Sequence, residues 1–117
     1  SLDVSNNPAL EVLHFDFNQI SSIDVSENSS LIALIFEYNQ IGSIDISKNT
    51  SLIYLTASSN QLSHLDVSNN TALEYLFISK MPSLTEVCVW TTPFPPEGFT
   101  LETILSPNIY FTTECSQ

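Results

Sequence analysis

Ile23-Asp24-Val25-Ser26 is one of four nearly identical tetrads that recur along this chain at a strict spacing of 21 residues. The other three are Leu2-Asp3-Val4-Ser5, Ile44-Asp45-Ile46-Ser47 and Leu65-Asp66-Val67-Ser68. Because no insertion or deletion interrupts the spacing, each unit is expected to form one turn of a stacked coil, in which a slip would break contacts with both neighbours. The sequence therefore predicts a solenoid, and a solenoid more often presents a binding surface than an enclosed reaction site.

Each unit contains two related halves of 10 and 11 residues. The first half reads Leu-x-x-Leu-x-apolar-x-x-Asn, as in residues 10–18, and the second reads Ile-x-x-Ile-Asp-Val-x-x-Asn, as in residues 20–28. Apolar residues two positions apart, such as Leu13 and Phe15, point the same way only on an extended strand. Neither half is long enough for a strand and a helix. We therefore predict two short strands per coil, one on each side, with irregular turns and little or no α-helix.

Asparagines recur at two positions of the unit and form two columns in the predicted stack. One column holds Asn18, Asn39 and Asn60, and the other holds Asn7, Asn28, Asn49 and Asn70. Where the chain turns inward, backbone groups lose water and need partners, and an asparagine side chain supplies both a donor and an acceptor. We interpret both columns as structural.

These patterns resemble the bacterial leucine-rich repeats with nested 10- and 11-residue halves, in the internalin-like surface class. The resemblance covers residues 1 to about 92, and its motif is specific because four units match at fixed spacing. It implies a leucine-rich repeat solenoid of four coils plus a C-terminal cap, secreted or surface-attached, that binds other proteins or cell surfaces. In several members a buried cysteine ladder occupies one column of the core. Here that column holds Phe15, Phe36, Ala57 and Ile78, so aromatic and aliphatic side chains are expected to fill the core.

The pattern changes after Ile78, and we divide the chain into a solenoid, residues 1–84, and a C-terminal capping segment, residues 85–117. Residues 87–90 are predicted to form one last strand on the Asp-Val-Ser side, after which prolines break the repeat. The side chains expected to cover the last coil are Phe94, Phe99, Leu101, Ile104, Ile109 and Phe111. The segment also resembles a cap found in some of those bacterial proteins. No N-terminal cap is recognised, so we expect further residues to precede Ser1 in a longer protein.

Both cysteines of the chain, Cys88 and Cys115, lie in the capping segment. Pairing them would close a loop across the cap and contribute on the order of 3–4 kcal/mol. Two free thiols or half of a metal site are the alternatives, but His14 and His64 lie far away in the coil and do not complete a tetrahedral set. We predict a disulfide, which favours an oxidising compartment.

The composition excludes one class of partner. Thirteen acidic residues against Lys48 and Lys80, with no arginine, give a formal net charge of −11. Such a surface repels nucleic-acid phosphates and anionic lipid. Nucleic-acid binding is therefore excluded, and a basic or uncharged polar partner is favoured. No stretch approaches the roughly 20 apolar residues of a membrane helix, so no membrane insertion is predicted.

The residues that carry chemistry do not assemble into a recognisable catalytic site. The column Asp3, Asp24, Asp45 and Asp66 places carboxylates about 4.8 Å apart in the stack. We interpret it as structural capping by backbone N–H groups and hydroxyls, with a shared Ca²⁺ as the alternative. The two histidines fall on different sides without a suitable Ser and Asp beside them, and the chain has two glycines and no phosphate-binding loop. We predict no catalytic, cofactor or metal site, and no enzyme.

The outward positions of the first strand of each unit carry several large apolar side chains. Exposed aromatic clusters often mark interfaces, although such residues also stabilise a sheet as cross-strand pairs. The predicted binding face consists of Val12, His14, Asp16, Phe17, Ile35, Glu37, Tyr38, Tyr54, Thr56, Tyr75 and Phe77. We expect a secreted or cell-surface module that binds a protein or a host or cell-surface ligand through this face. A structural spacer or stalk of a larger adhesin, and carbohydrate binding by Tyr54 and Tyr75 beside Asp16 and Glu37, are the alternatives.

Overall fold

Eight three-residue strands lie on two sides of a coiled chain in the computed structural model, which describes residues 2–115. Ser1, Ser116 and Gln117, at the ends of the predicted solenoid and capping segment, lie outside the described residues. The strands are β1 (Val12–His14), β2 (Ala33–Ile35), β3 (Tyr54–Thr56), β4 (His64–Asp66), β5 (Tyr75–Phe77), β6 (Glu86–Cys88), β7 (Thr100–Glu102) and β8 (Tyr110–Thr112). The described residues contain no helix. The fold is a parallel β-solenoid of about five turns, of the leucine-rich repeat type.

All strand pairs are parallel, because each coil returns the chain to the same side in the same direction. One side carries a five-stranded sheet in the order β1-β2-β3-β5-β7, and the other a three-stranded sheet in the order β4-β6-β8. In the larger sheet Leu13, Leu34, Leu55 and Leu76 align in register, each 21 residues after the last. Paired residues of these neighbouring strands are therefore 21 positions apart, the same spacing as the tetrads.

The core lies between the two sheets, because the middle residue of each strand points inward while its neighbours point out. Leu34, Leu55 and Leu76 have no exposed surface. The column of Phe15, Phe36, Ala57 and Ile78 is buried as expected, and the first two rings stack with their centroids 5.7 Å apart. Complete burial of such a side chain contributes about 1.5–3 kcal/mol, so each coil is stabilised by its neighbours.

The two asparagine columns join consecutive coils, as predicted. Asn39 donates from Nδ2 to the carbonyls of Phe15 (2.9 Å) and Phe36 (3.1 Å), and its Oδ1 accepts from the Ile20 N–H (3.2 Å). In the second column Asn49 donates to the carbonyls of Val25 and Asn28, both at 3.0 Å. The Oδ1 atoms of that column are buried without a partner among the described residues; they belong to Asn28, Asn49 and Asn70. The second column therefore acts as a donor alone.

The predicted strand on the second side is found only from His64 onward. The earlier segments around Ile23 and Ile44 form no ladder. At the contacts between the first four coils, the asparagine side chains of the second column bridge to the preceding coil instead. Asn70 is the last member of that column. Between its coil and the next one, the Val67 N–H donates to Cys88 O (2.8 Å), and strands β4 and β6 form a ladder.

The capping segment adds a further coil rather than a single strand. The strand predicted at residues 87–90 is observed at Glu86–Cys88, but β7 and β8 follow it and extend both sheets. Ser106 stands at the end of β7 where asparagine stands in earlier coils. Its hydroxyl donates to Ile78 O (2.7 Å) and accepts from the Met81 N–H (2.9 Å), 25 residues away. The boundary between residues 84 and 85 stays a prediction.

Aromatic residues and one disulfide hold this last coil together. Phe94 contacts Trp90, Phe99 and Phe111, with ring centroids 5.5, 4.9 and 5.0 Å away. Cys88 and Cys115 form the predicted disulfide, with their Cα atoms 5.5 Å apart. The expectation for Ile104 was wrong: its side chain is 62% exposed, because it lies beyond β7 at the turn.

Candidate functional site: the outer face of the five-stranded sheet

The outer face of the five-stranded sheet presents two rows of side chains, one on each side of the buried leucines. Cross-strand register aligns Val12, Ala33, Tyr54 and Tyr75 in one row. The other row holds His14, Ile35, Thr56, Phe77 and Glu102. Since these side chains alternate with the core-facing ones, they point away from the core. The face is therefore a regular array set by strand register.

Three aromatic residues in the middle of this face form what we call the aromatic cluster: Tyr54, Tyr75 and Phe77. The Tyr54 ring lies 5.4 Å from that of Tyr75 and 5.8 Å from that of Phe77. Tyr75 is 40% exposed, whereas Tyr54 and Phe77 are half-buried. The cluster therefore stabilises neighbouring strands and still offers the Tyr75 ring to a partner.

A second aromatic contact, the aromatic pair, lies where β1 and β2 end. Phe17 and Tyr38 stack with centroids 4.6 Å apart and planes 8° from parallel. Phe17 is 74% exposed and Tyr38 is 40% exposed. Both have φ of 59°, in the left-handed region that costs most residues about 1–3 kcal/mol. Backbone hydrogen bonds to the next coil hold this conformation, from Phe17 N to Glu37 O (2.9 Å) and from Tyr38 N to Ser58 O (3.2 Å).

Lys80 reaches back across the face to the aromatic pair. Its Nζ donates a hydrogen bond to the Tyr38 hydroxyl (3.0 Å) and lies 5.6 Å from the centre of the ring. This hydrogen bond lowers the pKa of Tyr38 and raises the pKa of Lys80. The face thus already holds one cation against the Tyr38 hydroxyl.

Carboxylates crowd the strand ends beside the aromatic pair, and we call Asp16, Glu37 and Glu102 the acidic group. Asp16 contacts His14 Nε2 through Oδ2 (2.9 Å) and accepts the Glu37 N–H at Oδ1 (2.6 Å). Glu102 accepts a hydrogen bond from the Ser79 hydroxyl (3.1 Å). Burial raises the pKa of Glu37, and the charges of Asp16 and Glu102 raise it further, while Lys80 and His14 oppose them. Glu37 therefore lies in a locally negative environment.

The structure places ten of the eleven predicted face residues at accessible or half-buried positions. Val12, at 57% exposed, and His14 lie at the free edge of the sheet, and Ile35 is half-buried between coils. Thr56 contradicts the prediction, because it is 2% exposed between the larger Ile35 and Phe77. Its hydroxyl has no hydrogen-bond partner among the described residues.

Three residues of the face were not among the predicted site residues: Ala33, Lys80 and Glu102. The contact of Lys80 with Tyr38, two coils away, was not predicted. Glu102 was assigned to the cap, because the 21-residue spacing fails beyond Ile78. The recurrence of x-Pro-x-apolar in Met81-Pro82-Ser83-Leu84 and Ser106-Pro107-Asn108-Ile109 was a signal that the coil continues.

The aspartate column, which the sequence offered as a possible calcium site, has a structural role. In the aspartate column, Asp24 Oδ1 accepts both the N–H (2.9 Å) and the hydroxyl (2.6 Å) of Ser26. The same contact recurs at each tetrad, which confirms the predicted capping. These hydrogen bonds lower the pKa of Asp3, Asp24 and Asp45. Within residues 2–115, no group of three or more His, Cys, Asp or Glu side chains is placed to hold a metal ion.

The two histidines lie on opposite sides of the coil, as predicted. His14 belongs to the five-stranded sheet and His64 to the three-stranded one, where its Nδ1 contacts Glu86 Oε1 at 2.9 Å. They do not form one site. Across the part of the chain that the structure describes, no helix has the length and apolar character needed to cross a membrane.

The fold and its outer face define a leucine-rich repeat solenoid with an open parallel sheet. No protein-family model matches the sequence, and no curated protein matches it. Among solved structures, the chain is similar to the functional domain of InlJ from Listeria monocytogenes, a domain that includes a cysteine ladder. The sequences are 27% identical, with a TM-score of 0.73, and the match covers 93% of this chain and 28% of that one. This chain has no cysteine ladder, since its two cysteines pair with each other in the last coil.

Proposed function

We propose that this chain is part of a bacterial secreted or cell-surface protein and binds another protein, or a host or cell surface, through the outer face of its five-stranded sheet. The observation that carries the proposal is the exposure of large apolar side chains on a rigid array, foremost Phe17, Tyr38 and Tyr75. Such side chains contribute little to folding where they are exposed and much to binding when a partner covers them.

Three further observations support the proposal. The similarity to the InlJ functional domain agrees with a bacterial surface protein of the nested 21-residue, internalin-like repeat class. The disulfide between Cys88 and Cys115 is typical of proteins in an oxidising, extracytoplasmic compartment. The described residues offer hydrogen-bonded side chains and stacked rings on an open face rather than a nucleophile and base set in a cleft. We therefore assign a binding role and no enzymatic one.

The test compares two triple variants that each remove three exposed apolar side chains. The first, Phe17→Ser with Tyr38→Ser and Tyr75→Ser, changes the sheet face. The matched control, Leu2→Ser with Ile32→Ser and Tyr110→Ser, changes residues outside the predicted face that are 37%, 38% and 53% exposed. Labelled proteins are applied to epithelial cells, bacterial cells and an array of extracellular proteins and glycans, after circular dichroism confirms that each variant is folded.

We expect the face variant to lose at least 10-fold in binding to a protein target and the control to bind as the unchanged chain does. Equal binding by both variants would remove the sheet face from consideration. Signal on glycans alone would favour carbohydrate recognition. Failure of the unchanged chain to bind any surface would leave the spacer or stalk as its role.

A further inference from the structure

The carboxylates on the two sides of the solenoid differ in the hydrogen bonds that they accept. On the second side, aspartates such as Asp24 and Asp45 accept two hydrogen bonds each from their own serines. On the sheet face, no hydrogen bond from another residue to the Glu37 side chain is found within residues 2–115, and burial, followed by the charges of Asp16 and Glu102, raises its pKa. A cation placed beside Glu37 would therefore relieve repulsion that the fold leaves in place.

The aromatic pair lowers the stability of the fold, which indicates a role in binding a partner. Phe17 combines a left-handed backbone with 74% exposure of an apolar ring. Glycine or asparagine adopts that conformation at lower cost and exposes less apolar surface. Stability alone therefore does not explain an aromatic residue at this position.

Lys80 shows which chemistry the surface accepts. Its ammonium group donates to the Tyr38 hydroxyl (3.0 Å), and its distance of 5.6 Å from the ring centre places it at the hydroxyl end of the ring and leaves the ring face open. The Phe17 ring, stacked on Tyr38, leaves most of its surface open, and Phe17 follows Asp16 in the chain and donates its N–H to Glu37 O (2.9 Å). A guanidinium group suits this arrangement better than an ammonium, because it is planar, stacks on aromatic rings and pairs with a carboxylate through two hydrogen bonds.

We propose that the aromatic pair and the acidic group together bind an arginine side chain within an extended basic segment of the partner protein, and that Lys80 occupies part of this site until the partner arrives. The inference rests on the proposed function and names the chemistry of its partner. Because the chain carries a formal net charge of −11, a basic protein segment is the ligand whose charge complements the site. Arrival of the arginine displaces the Lys80 ammonium from the Tyr38 hydroxyl.

The probe is a labelled octapeptide of alternating arginine and serine, compared with peptides in which lysine or citrulline replaces each arginine. Citrulline keeps the size of arginine and removes its charge. Binding is followed by fluorescence anisotropy at low and at physiological salt. We expect the arginine peptide to bind at least 10-fold more tightly than the citrulline peptide and several-fold more tightly than the lysine peptide, with affinity falling as salt rises.

Matched variants separate this site from general attraction to an acidic protein. Phe17→Ser should weaken arginine-peptide binding about 2- to 5-fold, the usual scale of an exposed cation–π contact, and Glu37→Gln should do so to a similar degree. Tyr110→Ser and Glu27→Gln, which change exposed residues away from the acidic group, should leave it unchanged.

The decisive comparison uses the two lysines. Lys80→Met and Lys48→Met remove the same charge, but only the first frees the Tyr38 hydroxyl. We expect Lys80→Met to tighten arginine-peptide binding about 2- to 5-fold beyond any effect of Lys48→Met. Equal effects of the two, or equal binding of the arginine and lysine peptides without loss in Phe17→Ser, would overturn the inference.

The outcomes also distinguish this inference from the proposed function. Absence of arginine-peptide binding, with partner binding still lost in the triple face variant, overturns the arginine site and leaves the binding face standing. Partner binding that survives the triple face variant overturns both.

Discussion

Replacing Asn49 with alanine tests the physical basis of the whole stack. Asn49 has no exposed surface, and its Nδ2 donates to two buried carbonyls of the preceding coil, Val25 O and Asn28 O. Alanine leaves both oxygens without this donor. Each oxygen keeps one backbone donor, from the Asn28 N–H to Val25 O (3.0 Å) and from the Leu31 N–H to Asn28 O (3.1 Å), so each lost hydrogen bond costs about 1 kcal/mol.

The expected loss of unfolding free energy is about 2 kcal/mol. Two lost hydrogen bonds contribute roughly 1 kcal/mol each. Removing Asn49 Oδ1, which is buried without a partner, returns about 1 kcal/mol, and the void left by the amide costs a similar amount. Since domains of this kind are stable by about 5–15 kcal/mol, a single substitution removes a large fraction of the total.

The control is Asn7→Ala, in the same column of the first coil. The Asn7 side chain is exposed because no described coil stacks above it. We expect a change within about 0.5 kcal/mol.

Urea unfolding should be followed both by far-ultraviolet circular dichroism and by the fluorescence of Trp90, the single tryptophan, which packs in the last coil. If Asn49→Ala lowers stability by less than about 1 kcal/mol, or if Asn7→Ala costs as much, the asparagine column does not hold the coils together. A loss seen by one probe and not the other would mean that the coils unfold independently.

Three further predictions concern the cap and the face. Replacing Cys88 and Cys115 with serine should lower stability by about 3.5 kcal/mol in urea unfolding, as expected for a loop of 27 residues; an unchanged midpoint would contradict this. Because Glu37 has a raised pKa, it holds its proton to higher pH in the folded chain than in the unfolded one, so its contribution to stability falls as pH rises above the ordinary value of 4.5. Glu37→Gln should therefore flatten the pH profile and raise stability at neutral pH by about 0.5 kcal/mol or less, and a steeper profile would refute the reasoning. Thr56→Val should raise stability by about 1 kcal/mol, because it removes a buried hydroxyl without a partner; a destabilised variant would show that the hydroxyl is bonded.

The register of the solenoid was predictable because it depends on spacing alone. Leu13 and Leu34 must align if successive coils are equal in length, and they do. The capping contacts of the aspartate column followed from the serine two residues after each aspartate. The disulfide followed from the placement of the two cysteines in one short segment.

The features that could not be predicted from the sequence arise where one coil has more residues than the others, or where a side chain contacts a residue on another coil. The step from Leu76 to Leu101 is longer than the repeat, so β7 was hidden among residues expected to form a lid. Thr56 is buried because its neighbours are larger, which depends on three strands at once. The contact of Lys80 with Tyr38 spans two coils and depends on the length of the lysine side chain.

The left-handed residue that closes each strand of the larger sheet recurs on every described turn, at Phe17, Tyr38, Ser59, Lys80 and Leu105. The exposed members of this series face solvent and take no part in the core. A ligand lying along the axis of the solenoid thus meets one interchangeable side chain per turn, at increments of about 4.8 Å. Evolution or design can therefore change the exposed side chain of one coil at a time without changing the core or the shape of the solenoid.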